Sequence, residues 1–219
     1  QPETVSLVGG LGVDIIASTE ILSKKQIEKA LKIQLSEKNL IVTFHPVTWS
    51  TKPDIYQLDQ LLIALQDLKD TSLLFTMPNA DNNNRLFTKK IIDFCSRQTC
   101  AKFYRSVGQK LYLSCLKNFD GVIGNSSSGI LEAPSLQQGT INIGNRQKGR
   151  LMASSVINCV AEAPEITRSI KKLLSKDFRN RLKTTVNPYG SAGASRKIID
   201  ILEQINLEEY LNKKFFDSN

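Results

Sequence analysis

The sequence predicts an α/β fold: a Rossmann-like parallel sheet with helices on both of its faces. Two observations lead to this prediction. Short continuous apolar runs, typical of strands buried on both faces, alternate along the 219 residues with longer amphipathic segments. Polar or glycine-containing stretches follow several of these runs, at the strand ends where ligands bind in such folds. Repeated strand–helix units of this kind favour parallel strands.

The first half of the chain contains three predicted strands and three predicted helices. The run at 40–44 is continuously apolar, as expected of a central buried strand. Ser23 is placed as the N-cap of one helix, and the helix that begins at residue 55 carries a single apolar stripe. The predicted strands cover residues 5–8, 40–44 and 72–76, and the predicted helices cover residues 21–35, 55–68 and 84–94.

The second half continues the alternation and closes with helices. Residues 207–219 are charged and aromatic, and they are expected to form a terminal helix that packs across this domain or onto another one. We therefore expect one Rossmann-like domain over residues 1–219. The remaining predicted strands cover residues 102–104, 121–123, 140–143 and 156–160, and the remaining helices cover 110–116, 130–136, 166–174 and 194–205.

Charge and cysteine content narrow the class of protein. The net charge is +8, and basic residues occur as adjacent pairs flanked by apolar residues at helical spacing, as on solvated helix faces. Because there is no block of five or more basic residues, neither nucleic acid nor a membrane is expected as a partner. A phosphorylated ligand, or a more acidic partner domain, explains the excess of positive charge better than nucleic acid or a membrane does. The four cysteines lack metal-ligand or redox spacing, and no apolar run could span a membrane. We expect a cytoplasmic protein with no metal and no cofactor.

The most informative stretch is the serine-rich run after the predicted strand at 121–123. Ser126, Ser127 and Ser128 stand between this strand and a predicted helix, where hydroxyls and free backbone N–H groups can bind an anion such as phosphate. Serine is equally common as a simple turn or N-cap residue, so capping alone remains an alternative. Glu132 lies in the first helical turn, where it suits either the helix dipole or the hydroxyls of a ribose.

Three further stretches follow predicted strands and converge on the same edge of the sheet. Arg146 and Arg150 lie in a loop bracketed by Gly144 and Gly149, which favours phosphate recognition over a role as surface cations. His45 is the only histidine and ends the strand at 40–44, although a lone histidine is more often structural. Asn79 follows Pro78 at another strand end, where it could also be a turn residue.

These stretches together resemble the hydrolysing UDP-N-acetylglucosamine 2-epimerases, which release N-acetylmannosamine for sialic-acid synthesis. The resemblance extends along nearly the whole chain. It implies the second, UDP-binding half of a glycosyltransferase-B type fold, with the catalytic carboxylates in an N-terminal domain that this chain does not show. The matching segments are Phe44-His45-Pro46-Val47-Thr48, Pro78-Asn79, residues 123–134 (IGNSSSGILEAP), residues 141–150 (INIGNRQKGR) and Asn187-Pro188-Tyr189-Gly190.

The resemblance also implies roles for individual residues. Ser126, Ser127 and Arg146 would bind the diphosphate of UDP, and Glu132 would hold its ribose. His45 would face the sugar–diphosphate junction as a general acid or hydrogen-bond donor, and it is the one catalytic candidate. The residues implied to contact or line the uracil pocket are Val107 and Asn79.

The expected ligands are UDP and UDP-N-acetylglucosamine, and the full-length enzyme is expected to be a homo-oligomer. This chain alone is expected to be inactive, since the missing domain would complete the site. Two other functions remain open. The chain could belong to a glycosyltransferase of the same fold type that uses another UDP-sugar, or it could be a nucleotide-binding module without catalytic activity.

Overall fold

The computed structural model describes residues 5–47, 53–78 and 84–206. Within these ranges, six strands form one sheet in the order β3-β2-β1-β4-β5-β6, and every neighbouring pair is parallel. This confirms the predicted α/β fold with a parallel sheet. The strands are β1 (Lys38–Thr43), β2 (Thr71–Thr76), β3 (Ala101–Tyr104), β4 (Gly121–Gly124), β5 (Thr140–Ile143) and β6 (Val156–Cys159).

Helices connect the strands and cover both faces of the sheet. Pro134 follows α6, and because proline has no backbone N–H, the predicted helix over 130–136 divides into α6 and a 3-10 turn over Ala133–Leu136. The α-helices of the described ranges are α1 (Leu11–Ser18), α2 (Lys24–Leu31), α3 (Asp54–Gln66), α4 (Asn84–Arg97), α5 (Gln109–Asn118), α6 (Ser128–Leu131), α7 (Ala163–Leu173), α8 (Lys176–Leu182) and α9 (Ala194–Gln204).

Alternate residues of the central strands supply two separate cores. Leu40 and Val42 of β1 point into a core formed with α3, α4, α7 and α8, while Ile41 points into a core formed with α1, α2 and α5. Because successive strand side chains point to opposite faces, a strand with helices on both sides must be apolar throughout. The apolar run at 40–44 is therefore explained by its central position in the sheet.

The N-terminal part differs from the prediction. Residues 5–8 form no strand, and the side chains of Val5 and Leu7 are exposed. The prediction of a strand there was wrong, because a short apolar run becomes a strand only where a neighbouring strand accepts its backbone hydrogen bonds. A helix that was not predicted, α1, follows instead. The predicted N-cap was correct: Ser23 begins α2, and it forms a reciprocal capping box with Gln26.

An acidic residue of α1 connects the two ends of the described chain. The carboxylate of Asp14 accepts hydrogen bonds from the backbone N–H groups of Gly193, Ala194 and Ser195, and from the Ser195 hydroxyl. These hydrogen bonds lower the pKa of Asp14 to about 2 from an ordinary value of 3.8. Asp14 therefore acts as a cap for α9, whose first N–H groups have no partner inside their own helix.

Candidate functional site

The candidate site lies at the carboxyl ends of the two central strands, β1 and β4. The chain proceeds from β1 outward to β2 and β3, and from β4 in the opposite direction to β5 and β6. This reversal is a topological switch point, and it leaves a crevice between the loops that follow the two central strands. The loops after β1, β4 and β5 carry His45, the serine turn (Asn125–Ser128) and the cationic loop (Gly144–Arg150).

Asn125 joins the loops after the two central strands. Its side-chain Oδ1 accepts a hydrogen bond of 2.7 Å from the backbone N–H of His45, and its Nδ2 donates one of 2.9 Å to the backbone carbonyl of His45. Its own backbone N–H donates to the carbonyl of Thr43 at 3.2 Å. Asn125 is completely buried, and the side chain extends the pairing of β1 and β4 beyond the end of the sheet.

Gly124 allows this close approach of the two strands. Its φ is +143°, and a Cβ atom there would lie 1.9 Å from the carbonyl oxygen of Thr43. Any larger residue would push β4 away from β1, so the glycine is required for the position of Asn125. Asn125 was not singled out from the sequence, where it directly precedes the serine run. A glycine–asparagine pair directly after a buried strand was the signal that could have identified it.

The cationic loop folds back onto the serine turn. Arg146 Nη1 donates to the backbone carbonyl of Asn125 at 3.2 Å, and Gln147 Nε2 donates to the same oxygen at 2.7 Å. These hydrogen bonds place Arg146 beside the serine turn, whereas Lys148 and Arg150 are exposed. Arg146 thus has a defined position at the site, as the phosphate hypothesis requires.

Two serines of the turn, Ser126 and Ser127, keep their hydroxyls available for a ligand. Ser127 precedes the first residue of α6, but its side chain makes no capping hydrogen bond, and the Ser126 hydroxyl forms only a long contact of 3.4 Å with the N–H of Ser128. Simple capping therefore does not account for these residues. Because α6 is a single turn, its dipole is small, and anion binding here would depend on the hydroxyls, local N–H groups and Arg146.

Glu132 lies one helical turn after the serines and is held by a side chain. The Ser128 hydroxyl donates to Glu132 Oε2 at 2.6 Å, and the Tyr112 hydroxyl lies 2.6 Å from Ser128 Oγ. Glu132 is partly exposed, so its carboxylate can reach a ligand above the serine turn. Tyr112 was not singled out from the sequence, and Ser128 was considered only as part of the serine-rich run, because a hydrogen bond between α5 and the serine turn depends on tertiary packing.

The structure places the remaining predicted site residues as follows. Val107 lies in the loop between β3 and α5 and packs, partly buried, against the core that contains Tyr112. The His45 side chain is 6% exposed, and its backbone is fixed by Asn125. Asn79 and residues 207–219, the predicted terminal helix, lie outside the described residues. His45 and Arg146 thus both contact Asn125, which directly precedes Ser126, while Val107 lies in the loop after β3.

A cavity of about 840 Å³ lies on the other side of the cationic loop, at the ends of β5 and β6. Carboxamides contribute much of its polar lining. Asn142 Nδ2 donates to Asn158 Oδ1 at 2.7 Å across the two strands, and Gln57 of α3 also lines the cavity. Met152 and Val160 add apolar surface. Lys148, Arg150 and Glu162 also line it, so the cavity offers carboxamide, charged and apolar contacts to a polar ligand.

Two properties of the described residues bear on the chemistry. In the ranges that the structure describes, no group of three or more His, Cys, Asp or Glu side chains is arranged to hold a metal ion. Within the same ranges, no helix has the length and apolar character needed to cross a membrane.

A doubly wound parallel sheet with anion-binding groups at its switch point is typical of nucleotide-binding proteins. Within this class, the chain belongs to the UDP-N-acetylglucosamine 2-epimerase family, whose family model matches residues 1–203. The resemblance seen in the sequence is thereby confirmed at the level of the family.

Individual relatives agree with this assignment. The chain is 38% identical over 219 residues to a Campylobacter jejuni protein named GDP/UDP-N,N'-diacetylbacillosamine 2-epimerase (hydrolyzing), covering 99% of this chain and 56% of the relative. It is 34% identical over 220 residues to the Escherichia coli polysialic acid biosynthesis protein P7, covering 99% of this chain and 56% of that protein. The chain thus spans about half the length of these curated relatives.

The fold also matches solved structures of the family. The UDP co-structure of S. aureus MnaA superposes with a TM-score of 0.71 at 15% sequence identity, covering 99% of this chain and 58% of that one. The fold is that of one half of a glycosyltransferase-B type enzyme, as the sequence analysis predicted.

Proposed function

We propose that this chain is the UDP-binding half of a hydrolysing 2-epimerase that converts UDP-N-acetylglucosamine to N-acetylmannosamine and UDP. One observation carries the proposal: Arg146 and the serine turn meet at the Asn125 carbonyl, at the switch point of the sheet. A diphosphate bound there would receive hydrogen bonds from the Ser126 and Ser127 hydroxyls and from the Arg146 guanidinium, which suits phosphate geometry. Glu132 and Val107 would take the ribose and the uracil, with Asn79 beside the base.

The proposed reaction proceeds in two stages. Loss of the C2 proton and cleavage of the C1–O bond release UDP and leave a 2-acetamidoglucal, to which water then adds. Negative charge develops on the departing diphosphate, so groups arranged beforehand around that diphosphate lower the barrier. Arg146 and the serines would perform this task, and His45 would donate a hydrogen bond or proton near the leaving oxygen. The acid–base groups that act at C2 belong to the expected first domain.

A doubly N-acylated sugar is the second candidate substrate. Two observations favour it: the 38% identical relative is named for N,N'-diacetylbacillosamine, and carboxamides and apolar side chains are among the residues that line the cavity beside the cationic loop. Carboxamides hydrogen-bond to N-acyl groups, and Met152 and Val160 provide contacts for their methyl groups. Product analysis on the full-length enzyme, with each UDP-sugar supplied in turn, distinguishes the two substrates. A sugar transferred to an acceptor would instead indicate a glycosyltransferase.

Calorimetry on this chain tests the nucleotide site directly. We expect UDP to bind weakly, since the proposed first domain would supply the other wall of the cleft, and uridine without phosphates to bind more weakly still. CDP is the control for the base, because it retains the diphosphate and changes only the pyrimidine. A folded chain that gives no binding heat at millimolar UDP would contradict the proposal. A chain that binds CDP and UDP equally would retain a diphosphate site but no uracil site.

A further inference from the structure

Tyr112, Ser128 and Glu132 form a continuous chain of hydrogen bonds beneath the serine turn. The Tyr112 hydroxyl lies 2.6 Å from Ser128 Oγ, and Ser128 Oγ lies 2.6 Å from Glu132 Oε2. Both distances are short for hydrogen bonds between oxygens. Tyr112 belongs to α5, Ser128 is the first residue of α6 and Glu132 directly follows α6. Only the folded structure brings Tyr112 to the other two side chains.

The number of available protons decides which group donates in each of these hydrogen bonds. An ionised carboxylate can only accept, so the single Ser128 hydroxyl proton must point toward Glu132. The Tyr112–Ser128 contact then requires Tyr112 to donate, because Ser128 has no second proton to give. Burial raises the pKa of Tyr112 to about 12, so its hydroxyl keeps this proton at physiological pH.

These hydrogen bonds leave one oxygen of the Glu132 carboxylate available to another partner. Ser128 occupies Oε2 of Glu132, and no residue in the described ranges forms a hydrogen bond with Oε1. A carboxylate held at one oxygen loses rotational freedom before a ligand arrives, and its second oxygen remains an acceptor. Two adjacent hydroxyl groups, such as those of a ribose, are suitable donors for such an acceptor.

We propose that Ser128 and Tyr112 are positioning residues that orient Glu132 for the ribose hydroxyls of the bound nucleotide. The proposal rests on the function proposed above. It adds that the protein selects a ribonucleotide through Ser128 and Tyr112, two residues that do not contact the ligand. Tyr112 acts through Ser128, and Ser128 acts through Glu132.

Binding of two ligands to the same chain tests the proposal. UDP and 2′,3′-dideoxy-UDP differ only in the ribose hydroxyls, so the ratio of their dissociation constants reports the contribution of these hydroxyls. In the wild-type chain we expect UDP to bind about tenfold more tightly, the factor expected for hydrogen bonds to a charged group. We expect this ratio to approach one in Ser128→Ala and to fall by a smaller factor in Tyr112→Phe.

The ratio separates positioning from a general structural defect. A variant that merely loosens the fold weakens both ligands together and leaves their ratio unchanged. Ser128→Thr retains the hydroxyl and should restore the ratio. Tyr104→Phe is the matched control, because Tyr104 belongs to the same core but donates its hydroxyl hydrogen bond to the Leu31 carbonyl, away from Glu132.

Each outcome leads to a definite conclusion. A ratio that stays at the wild-type value in both Ser128→Ala and Tyr112→Phe overturns the positioning role while leaving the UDP site intact. If the thermal melt shows that one of these variants does not fold, the ratio of dissociation constants measured for the other variant decides the outcome. Failure of UDP itself to bind the folded wild-type chain overturns the proposed function, and that result is distinct from an unchanged ratio.

Discussion

The Asn125 side chain pairs with both backbone groups of His45, at 2.7 Å and 2.9 Å, and so replaces the next backbone pair that β1 and β4 would otherwise form. The same asparagine presents its carbonyl oxygen to Arg146. One buried residue therefore holds the loop after β1 and the cationic loop in fixed relation.

Replacing Asn125 by Ala should destabilise the protein by about 2–4 kcal/mol. The substitution removes two hydrogen bonds to the backbone of buried His45, and a buried polar group that loses its partner costs about 1–3 kcal/mol. Urea unfolding measures the change. Asn145→Ala is the control: Asn145 is exposed in the cationic loop, and we expect a change within about 0.5 kcal/mol. Equal effects of the two substitutions would contradict the anchoring role.

Replacing Arg146 by Ala should weaken UDP binding by roughly 1.5–3 kcal/mol, because a hydrogen bond between a guanidinium and the diphosphate is lost. Calorimetric titration of UDP measures the difference. Arg150→Ala removes a cation of the same charge from the same loop, but Arg150 is exposed and lines the neighbouring cavity. We expect this control to change the affinity much less. Equal losses would indicate that only the overall positive charge matters.

Replacing Gly124 by Ala should prevent folding or destabilise the protein by on the order of 3 kcal/mol. The added Cβ would lie 1.9 Å from the Thr43 carbonyl oxygen, so β1 and β4 must separate. Gly12→Ala is the matched control, since nothing lies within 4 Å of its Cβ position and it belongs to α1. The control should stabilise the protein by up to about 1 kcal/mol, because alanine is the better helix former. Thermal unfolding distinguishes the two.

Replacing Asp14 by Asn should reduce stability at neutral pH and have little effect in strong acid. The pKa of Asp14 is lowered to about 2 in the folded protein, below its ordinary value of 3.8. A lowered carboxyl pKa stabilises the fold above the ordinary value, and this stabilisation is lost as the pH falls from about 4 to about 2. The melting temperatures of wild type and Asp14→Asn should therefore converge over that interval. A constant difference at all pH values would show that the charge of Asp14 is unimportant.

The sequence was a good guide to the sheet and a weaker guide to the N-terminus. The apolar runs at 40–44 and 72–76 are β1 and β2 because central strands are apolar on both faces, and this requirement is local and visible. The run at 5–8 has similar composition but no neighbouring strand. Composition alone cannot report whether a partner is present, so the strand prediction there failed.

The candidate site shows the same division between local and tertiary information. The residue types at strand ends identified His45, the serine turn and Arg146, because ligand groups in parallel sheets follow the strands. The structural roles of Asn125, Ser128 and Tyr112 were missed. Their importance comes from contacts between separate elements, with sequence separations of 80 residues for Asn125 and His45 and 16 for Tyr112 and Ser128.

The class of fold, the strand ends that carry ligand groups and the resemblance to a family of 2-epimerases could all be predicted from the sequence. These depend on hydrophobic periodicity and on residue types at fixed spacing, which are properties of local segments. The contacts of Asn125 with His45 and Arg146, and of Ser128 with Glu132, became visible only in the folded protein. Such contacts depend on the distance and direction between side chains of different elements, and these are set only when the helices and strands pack.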